Sequence, residues 1–305
     1  MSKMSNEPPR SSPAGLFAGA GAFFIWGILP CYWKALKSVP AAEILCHRMF
    51  WSLVFVAIVL TMWRRWKEVF AALTSRKNIL FFMCSSSLLA VNWLTYIWGV
   101  NAGFVLEASM GYYINPLVNV LLGFIFFQDR LRRFQILAII LAVAGVANLV
   151  INYGRFPWIA LTLAFSFGLY GLIRKLVRVE SLPGLCAESF FMSVPALVFL
   201  IWRHLSGAGA LGAGAFEVDA LLIGAGAVTA VPLLLFAFCA RRLRLVEVGI
   251  LQYLAPTCMF LLGVFIFGEP FTLVHLITFV CIWTGIAIYS IETVCYMRRH
   301  TPDLL

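Results

Sequence analysis

Five ionisable side chains lie within long apolar stretches of the sequence: His47, Arg48, Glu107, Glu188 and Glu247. Charges inside a membrane span are costly, and they typically mark a gate, a proton site or a substrate contact. Glu107 and Arg48 occur at similar depth in their stretches, which predicts a buried ion pair with His47 or Glu43 nearby. The alternatives are side chains that snorkel to the membrane interface, or a pair with a structural role alone.

A second set of residues combines aromatic and amide side chains in the apolar stretches. Such a combination suits a cavity for a flat, partly apolar organic solute. The members of this set are Trp26, Asn92, Trp93, Tyr96, Tyr112, Asn115, Asn119, Gln252 and Tyr253. Alternatively, the aromatic rings form belts at the membrane interface and the amides bond one helix to another.

Two prolines stand beside these residues and predict helix kinks. Pro116 and Pro256 each remove a helical hydrogen bond, which can free carbonyl groups to face a cavity. Asp129 and Glu269 follow apolar stretches, so helix capping or loop pairing is expected of them rather than transport. His275 is an isolated histidine, for which a core or interface position is expected.

The sequence gives little support for catalysis, and we expect no catalytic residue, metal or cofactor. The eight cysteines form no CxxC pair, and the four histidines are widely scattered. The phosphate-binding sequence GxxxxGK[ST] is absent. A membrane enzyme is therefore the least favoured function. A receptor or a scaffold without transport remains open beside a transporter.

The elements that position these residues must be membrane spans. The chain has 305 residues, of which 62% are hydrophobic and 12% charged, with a mean hydropathy of +0.94. A soluble domain of this size could not bury so much apolar surface. Stretches of about 20 apolar residues suit transmembrane helices. Ten are predicted, at 14–33, 43–63, 78–100, 104–127, 133–151, 157–177, 185–203, 218–240, 245–267 and 272–293.

The loop charges predict the orientation of these ten helices. With the N-terminus in the cytoplasm, 18 of the 23 Lys and Arg residues lie on the cytoplasmic side and four on the outer side. This asymmetry follows the positive-inside rule and places both termini inside. The net charge of +10 is thus explained by cytoplasmic loops and does not indicate a nucleic-acid partner.

The two halves of the chain repeat one pattern. A shift of 140 residues aligns 104–150 with 244–290 without a gap, and nine of the 47 positions are identical. The matches include Glu107/Glu247, Tyr113/Tyr253, Pro116/Pro256 and Gly145/Gly285, and a weaker echo pairs Trp26-Gly27 with Tyr170-Gly171. Five helices per half give the two copies opposite directions across the membrane, an arrangement typical of transporters.

The predicted organisation is therefore all-α, with two inverted five-helix repeats. We expect a cytoplasmic tail at 1–13, repeats at 14–151 and 157–293, and a second cytoplasmic tail at 294–305. Gly15-x-x-x-Gly19 and Gly99-x-x-x-Gly103 are motifs for close helix packing or for a homodimer.

Several segments resemble the RarD-like branch of the EamA permeases, in the drug/metabolite transporter superfamily. They are FFIWGILPCYWK, AEILCHRMFWS, NWLTYIWGVN, LEASMGYYINPLVNVLLGFIFFQDRLRR, FSFGLYGLIRK and YLAPTCMFLLGVFIFGE. The resemblance implies two EamA repeats in the inner membrane and a secondary carrier for small metabolites or drugs, commonly directed outward. Gln128-Asp129 departs from the Gly-Glu typical of these repeats, whereas Gly268-Glu269 keeps it. The expected partners are a small organic solute and membrane lipid.

Overall fold

The computed structural model describes residues 12–127, 132–177, 179–213, 216–240, 242–243 and 245–300. These residues form helices joined by short loops, and no strand occurs among them. A helix pairs its backbone groups within itself, which a segment crossing hydrocarbon requires. The predicted all-α class is thereby confirmed. The tail predicted at 1–13 lies almost entirely outside the described residues, as does Asp129.

Six helices come from the first half of the chain. They are α1 (Pro13–Ala35), α2 (Ala41–Met62), α3 (Trp66–Leu73), α4 (Arg76–Asn101), α5 (Val105–Phe127) and α6 (Arg133–Tyr153). The second half contributes α7 (Trp158–Leu176), α8 (Ser181–Leu205), α9 (Phe216–Ala240), α10 (Leu245–Leu251), α11 (Leu254–Leu261) with a π-helical turn at Leu262–Ile266, and α12 (Leu273–His300).

Ten apolar segments account for most of the helices in the described part of the chain. Nine segments in the described part of the chain are long and apolar enough to span a bilayer, and Trp158–Arg174 is a shorter apolar helix. The predicted ten-helix architecture is confirmed. Helix α12 continues to His300, so part of the tail predicted at 294–305 is helical.

Helix α3 was not predicted, because its eight residues are too short to cross a membrane. It is amphipathic, and Val69 and Ala72 form its buried side. Before it, Arg65 donates hydrogen bonds to Glu68 at 2.6 Å and to Glu180 of the α8 N-terminal loop at 2.6 Å. The hydrogen bond from Arg65 holds the pKa of the Glu68 carboxyl below its usual value. Its contribution to stability is therefore present at neutral pH and is lost as the pH falls through that lowered pKa.

The ninth span differs most from its prediction as one continuous helix. It is interrupted at Gln252 and Tyr253, between α10 and α11, just before Pro256. Pro256 lacks the N–H that would bond to the Gln252 carbonyl in a continuous helix, which permits a break at this point. Its counterpart α5 continues through Pro116 without interruption. The sequence pattern is therefore shared by the two repeats, but the backbone conformation is not.

The 140-residue repeat of the sequence appears in the packing of helices α6 and α12. A Cβ added to Gly145 would lie 3.0 Å from the Thr278 carbonyl oxygen of α12. A Cβ added to Gly285 would lie 2.9 Å from the Ala138 carbonyl oxygen of α6, and Ala138 is the equivalent of Thr278. In each repeat, therefore, this glycine packs against the equivalent backbone position of the other repeat.

The equivalent residues Tyr113 and Tyr253 also meet. Their rings stack with centroids 6.4 Å apart and an interplanar angle of 19°. Tyr113 shares a 2.7 Å hydrogen bond with Thr257. Contact between equivalent residues places them beside the axis that relates the two repeats.

The predicted glycine motifs serve packing within the chain. Gly15 and Gly19 of α1 lie against Leu243 and Cys239, and Gly99 lies against Ile159 of α7. Gly103 has a positive φ of 84° in the turn before α5, a conformation that favours glycine. The close-packing interpretation is confirmed for the first three glycines, and the homodimer stays a prediction.

Replacing Gly285 by alanine tests the α6–α12 contact. The new methyl group must push against the Ala138 backbone, so we expect a loss of about 1–3 kcal/mol of stability. The matched control is Gly249→Ala in α10, where no atom lies within 4 Å of the added Cβ. Thermal denaturation of the purified variants in detergent measures both. Equal midpoints for the two variants would contradict the contact.

Candidate functional site

Arg48 lies seven residues, or about 10 Å, into helix α2. Its Nε donates a 2.9 Å hydrogen bond to Thr229 Oγ1 of α9. Its guanidinium carbon lies 3.8 Å from the ring centroid of Trp93 in α4 and 5.1 Å from that of Trp33 in α1. The side chain is therefore held by helices of both repeats.

The guanidinium of Arg48 is buried, with 4% of the residue exposed. Its Nη1 has no hydrogen-bond partner, and no described carboxylate lies within ion-pair distance of it. A desolvated cation–π contact contributes about 2 kcal/mol, whereas burial of an ion costs several kcal/mol. The contacts around Arg48 thus offset its burial in part.

The predicted pair between Arg48 and Glu107 is wrong. Glu107 Oε1 instead accepts hydrogen bonds from the backbone amides of Ile159 at 2.9 Å and Ala160 at 3.4 Å. These amides begin helix α7 and have no partner within that helix, so the carboxylate caps it. Glu107 therefore has a capping contact in this structure, and its role as a gate or proton site stays a prediction.

Glu43 does not lie beside Arg48 as a partner either. Its Oε2 accepts from Arg203 Nη2 of α8 at 2.8 Å, and its Oε1 accepts from the Ala210 amide at 2.6 Å. Glu43 is 1% exposed, so this pair joins α2 to α8 and to the loop at 206–213 within a protein environment. His47 lies one turn further along α2, and its Nδ1 has no hydrogen-bond partner.

Glu188 occupies a polar cluster near the predicted inner end of the bundle. Ser85 of α4 donates to its Oε1 at 2.7 Å, and Tyr170 of α7 donates to its Oε2 at 3.3 Å. Arg174 Nε lies 3.7 Å from the same carboxylate. Glu188 is fully buried, and this cluster provides its counter-ion and two hydrogen bonds.

Glu269 caps helix α5 from the loop before α12, as capping had been expected of it. Its two oxygens accept from the amides of Val105 at 2.7 Å and Leu106 at 2.8 Å. Burial raises the pKa of the Glu269 carboxyl above its usual value, while these amide hydrogen bonds act in the opposite direction. Glu269, Glu107, Arg155 and His275 line a cavity of about 100 Å³ at this end of the bundle.

The aromatic and amide candidates fall into two groups. Trp93, Tyr96 and Tyr112 belong to the core cluster beside Arg48: the guanidinium carbon lies 3.8 Å from the Trp93 ring centroid, and the rings of Tyr96 and Tyr112 are in edge contact with centroids 5.7 Å apart. Asn92, in contrast, donates to the Leu163 carbonyl and to Ser166 of α7, each at 3.0 Å. That bond joins two helices, which is the alternative role for an amide.

The remaining candidates are dispersed along the bundle. Asn115 is buried with an unpartnered Oδ1, whereas Asn119 is exposed one turn later. Trp26, Gln252 and Tyr253 are half-buried. Trp26 packs on Phe23 and Phe236, with ring centroids 5.3 and 5.9 Å away. Glu247 lies half-buried in the first turn of α10.

Four partner residues at these sites were not singled out from the sequence. Thr229 and Trp33 hold Arg48, Arg203 pairs with Glu43, and Ser85 bonds Glu188. Thr229 and Ser85 give no signal in a single sequence, because hydroxyl groups are common in membrane helices. Among the described residues, no three His, Cys, Asp or Glu side chains are placed to hold a metal ion.

A larger cavity of about 250 Å³ lies between α2 and α8. Glu43, His47 and His204 contribute its polar groups, and most of the remaining lining is apolar. Leu197, Ile201 and Leu205 in this lining are exposed on the bundle surface. The cavity therefore opens toward the lipid side of the bundle and does not reach the Arg48 guanidinium.

Comparisons with known proteins agree with this architecture. A model of the EamA-like transporter family matches the chain twice, over residues 13–151 and 157–291. The "Uncharacterized transporter YojE" of Bacillus subtilis (strain 168) is 46% identical over 288 residues, which cover 93% of this chain and 96% of that protein. "Protein RarD" of Escherichia coli (strain K12) is 42% identical over 290 residues, 95% of this chain and 98% of that protein.

A solved crystal structure has a similar fold. Its TM-score is 0.59 at 17% sequence identity, and the alignment covers 92% of this chain and 98% of that one.

The pair of Glu43 and Arg203 yields a directional prediction. Arg203→Gln leaves the buried Glu43 carboxylate without its cation, so we expect a loss of about 3 kcal/mol. Glu43→Gln leaves Arg203, whose side chain is 22% exposed and can be solvated, so its loss is smaller. The double variant should recover part of the Arg203→Gln loss. Thermal denaturation measures all three, and a Glu43→Gln variant less stable than Arg203→Gln would contradict this account.

Proposed function

We propose that this chain, which belongs to the EamA-like transporter family, is a secondary active transporter. In this proposal it lies in the inner (cytoplasmic) membrane, has both termini in the cytoplasm, and moves a small organic solute by alternating access. Its relatives at 41–46% identity that carry a transporter name, such as YojE, support the general role. The kind of solute and the mechanism of transport are inferred from the packing of the two repeats.

The observation that carries the proposal is that equivalent glycines of the two repeats pack unequally. A Cβ added to Gly27 of α1 would lie 2.5 Å from Cys258 Cβ and 3.0 Å from the Ala255 carbonyl oxygen of α11. A Cβ added to Gly171, its equivalent in α7, would meet no atom within 4 Å. Helix α1 is thus in close contact with α11 at Gly27, whereas open space lies beside Gly171 of α7.

The helix contacts show the same inequality. Helix α1 packs against α4 near the predicted outer end, where Trp33, Leu36 and Val100 are fully buried. Helices α7 and α9 are the equivalents of α1 and α4 in the second repeat, and their described residues make no comparable contact. The bundle is therefore closed at one end and looser at the other.

An inverted repeat converts this inequality into two related states. The two repeats can exchange their packing, so that the second becomes tightly packed and the first becomes loose. The opposite end of the bundle then opens. The loop charges support a cytoplasmic location for the looser end. We therefore interpret the structure as the inward-open state of the carrier. Because the sequence has no nucleotide-binding loop, an ion or solute gradient would drive the cycle.

Solute flux tests the proposed function. We would load proteoliposomes of the full chain with an extract of small metabolites, without ATP, and analyse the external medium by mass spectrometry. Specific organic solutes should cross faster than in protein-free vesicles, and an imposed H⁺ or Na⁺ gradient should change their rate. Gly249→Ala serves as the variant control, because its added Cβ meets no atom. If no solute crosses faster than in empty vesicles under either gradient, the carrier proposal fails.

Cysteine labelling tests the proposed inward-open state. After replacement of the eight native cysteines, Gly171→Cys should react with a membrane-impermeant maleimide from the cytoplasmic side. The matched variant Leu36→Cys, at a fully buried position near the predicted outer end, should be protected from the outer side. Inside-out and right-side-out vesicles give the two accessibilities. The opposite pattern, with Leu36→Cys reactive from outside and Gly171→Cys protected, would contradict the assigned state.

A further inference from the structure

The surroundings of Arg48 contain hydrogen-bond donors that have no acceptor. Its Nη1 and the indole Nε1 of Trp33 are both buried without a partner. The Trp33 ring centroid lies 5.1 Å from the guanidinium carbon, so the two residues with unpartnered donors are neighbours. Guanidinium and indole groups donate only, and neither can satisfy the other. The group that completes this site must bring acceptors.

None of the described residues accepts a hydrogen bond from these two donors. Glu43 is bonded to Arg203 and the Ala210 amide, and Glu107 is bonded to the first amides of α7. Thr229 accepts from Arg48 Nε and donates to the Ala225 carbonyl, but it makes no hydrogen bond with Arg48 Nη1. The positive charge of Arg48 is therefore not balanced by any described carboxylate.

We propose that Arg48 and Trp33 bind the anionic head of the transported solute, which is an organic carboxylate with a flat apolar body. The guanidinium fork matches the two oxygens of a carboxylate. Trp93, Tyr96 and Tyr112 provide aromatic surface for the body of the solute beside that head. This inference rests on the proposed transport function, for which it names the class of solute.

The position of Arg48 also suits a site that changes between two states. Its side chain joins Trp93 of the first repeat to Thr229 of the second, and the residue is almost fully buried. A solute that engages the guanidinium acts on both repeats at once. Arg48 is buried in this state, so a solute reaches its guanidinium only after the surrounding helices move.

A purely structural Arg48 is the competing interpretation, in which the residue braces α2, α4 and α9. The two interpretations predict different binding of small organic acids to the protein. A brace gives no preference between an organic acid and its neutral amide, whereas a carboxylate site prefers the acid by about tenfold or more. A matched acid–amide comparison therefore separates them on the unmodified protein.

The test measures binding to the purified full chain in lipid nanodiscs. The probes are benzoate, phenylacetate and cinnamate, each paired with its amide, followed by tryptophan fluorescence and thermal stabilisation. We expect at least one acid to bind about tenfold more tightly than its amide. If no acid is preferred over its amide, the proposal is overturned. This result would not depend on flux, so it is separate from a failure of the carrier proposal.

Three variants then locate the site. Arg48→Gln should abolish the preference for the acid, and Arg48→Lys should retain a weaker preference, because the charge remains but the planar fork is lost. The control is Arg155→Gln, which removes a cation lying 5.3 Å over the Phe104 ring and should leave the preference unchanged. Undiminished acid binding by Arg48→Gln overturns the assignment. If Arg48→Gln does not fold, Arg48→Lys decides it: unchanged affinity for the acid contradicts the predicted role of the fork.

Discussion

Inside a bilayer, each polar group must find its partner within the protein, and this constraint determines most contacts of this bundle. The intramembrane carboxylates satisfy it with helix N-termini and with distant basic or hydroxyl groups. Glu107 caps α7, Glu43 pairs with Arg203, and Glu188 accepts from Ser85. Each of these bonds joins two helices, so the requirement for pairing also determines how the helices lie together. Arg48 differs from these carboxylates, because its buried charge has no counter-ion among the described residues.

The same constraint acts on the two repeats, but their equivalent residues do not all pack in the same way. Gly145 and Gly285 make equivalent contacts across the α6–α12 interface. Gly27 and Gly171 do not, since one is tightly packed and the other faces open space. Similarly, α5 is continuous while its counterpart is interrupted at Gln252 and Tyr253. The contact between α6 and α12 is thus common to both repeats, and the inequality lies in the helices that surround the candidate site.

The sequence predicted the membrane-spanning helices well, but it predicted less well which helices and side chains contact each other. Span number and repeat follow from apolar length and from identities at one spacing, and both agree with the fold. The pair of Arg48 and Glu107 was wrong because equal depth says nothing about which helices are adjacent. Glu107 faces α7, and Arg48 faces α4 and α9. The break before Pro256 was expected as a kink. That Pro116 leaves α5 unbroken depends on packing that a single sequence does not contain.

The central claim is that closing one end of the bundle opens the other, and distance measurements between spin labels test it most directly. Labels at the exposed positions Ala35 and Ala102 report the predicted outer ends of α1 and α4, and labels at Leu176 and Phe238 report the predicted inner ends of α7 and α9. Gly27→Val should wedge α1 away from α11, because no space exists for its side chain. We predict that this variant lengthens the outer distance and shortens the inner one, while Gly171→Val leaves both unchanged. A longer outer distance with an unaltered inner distance would contradict the claim.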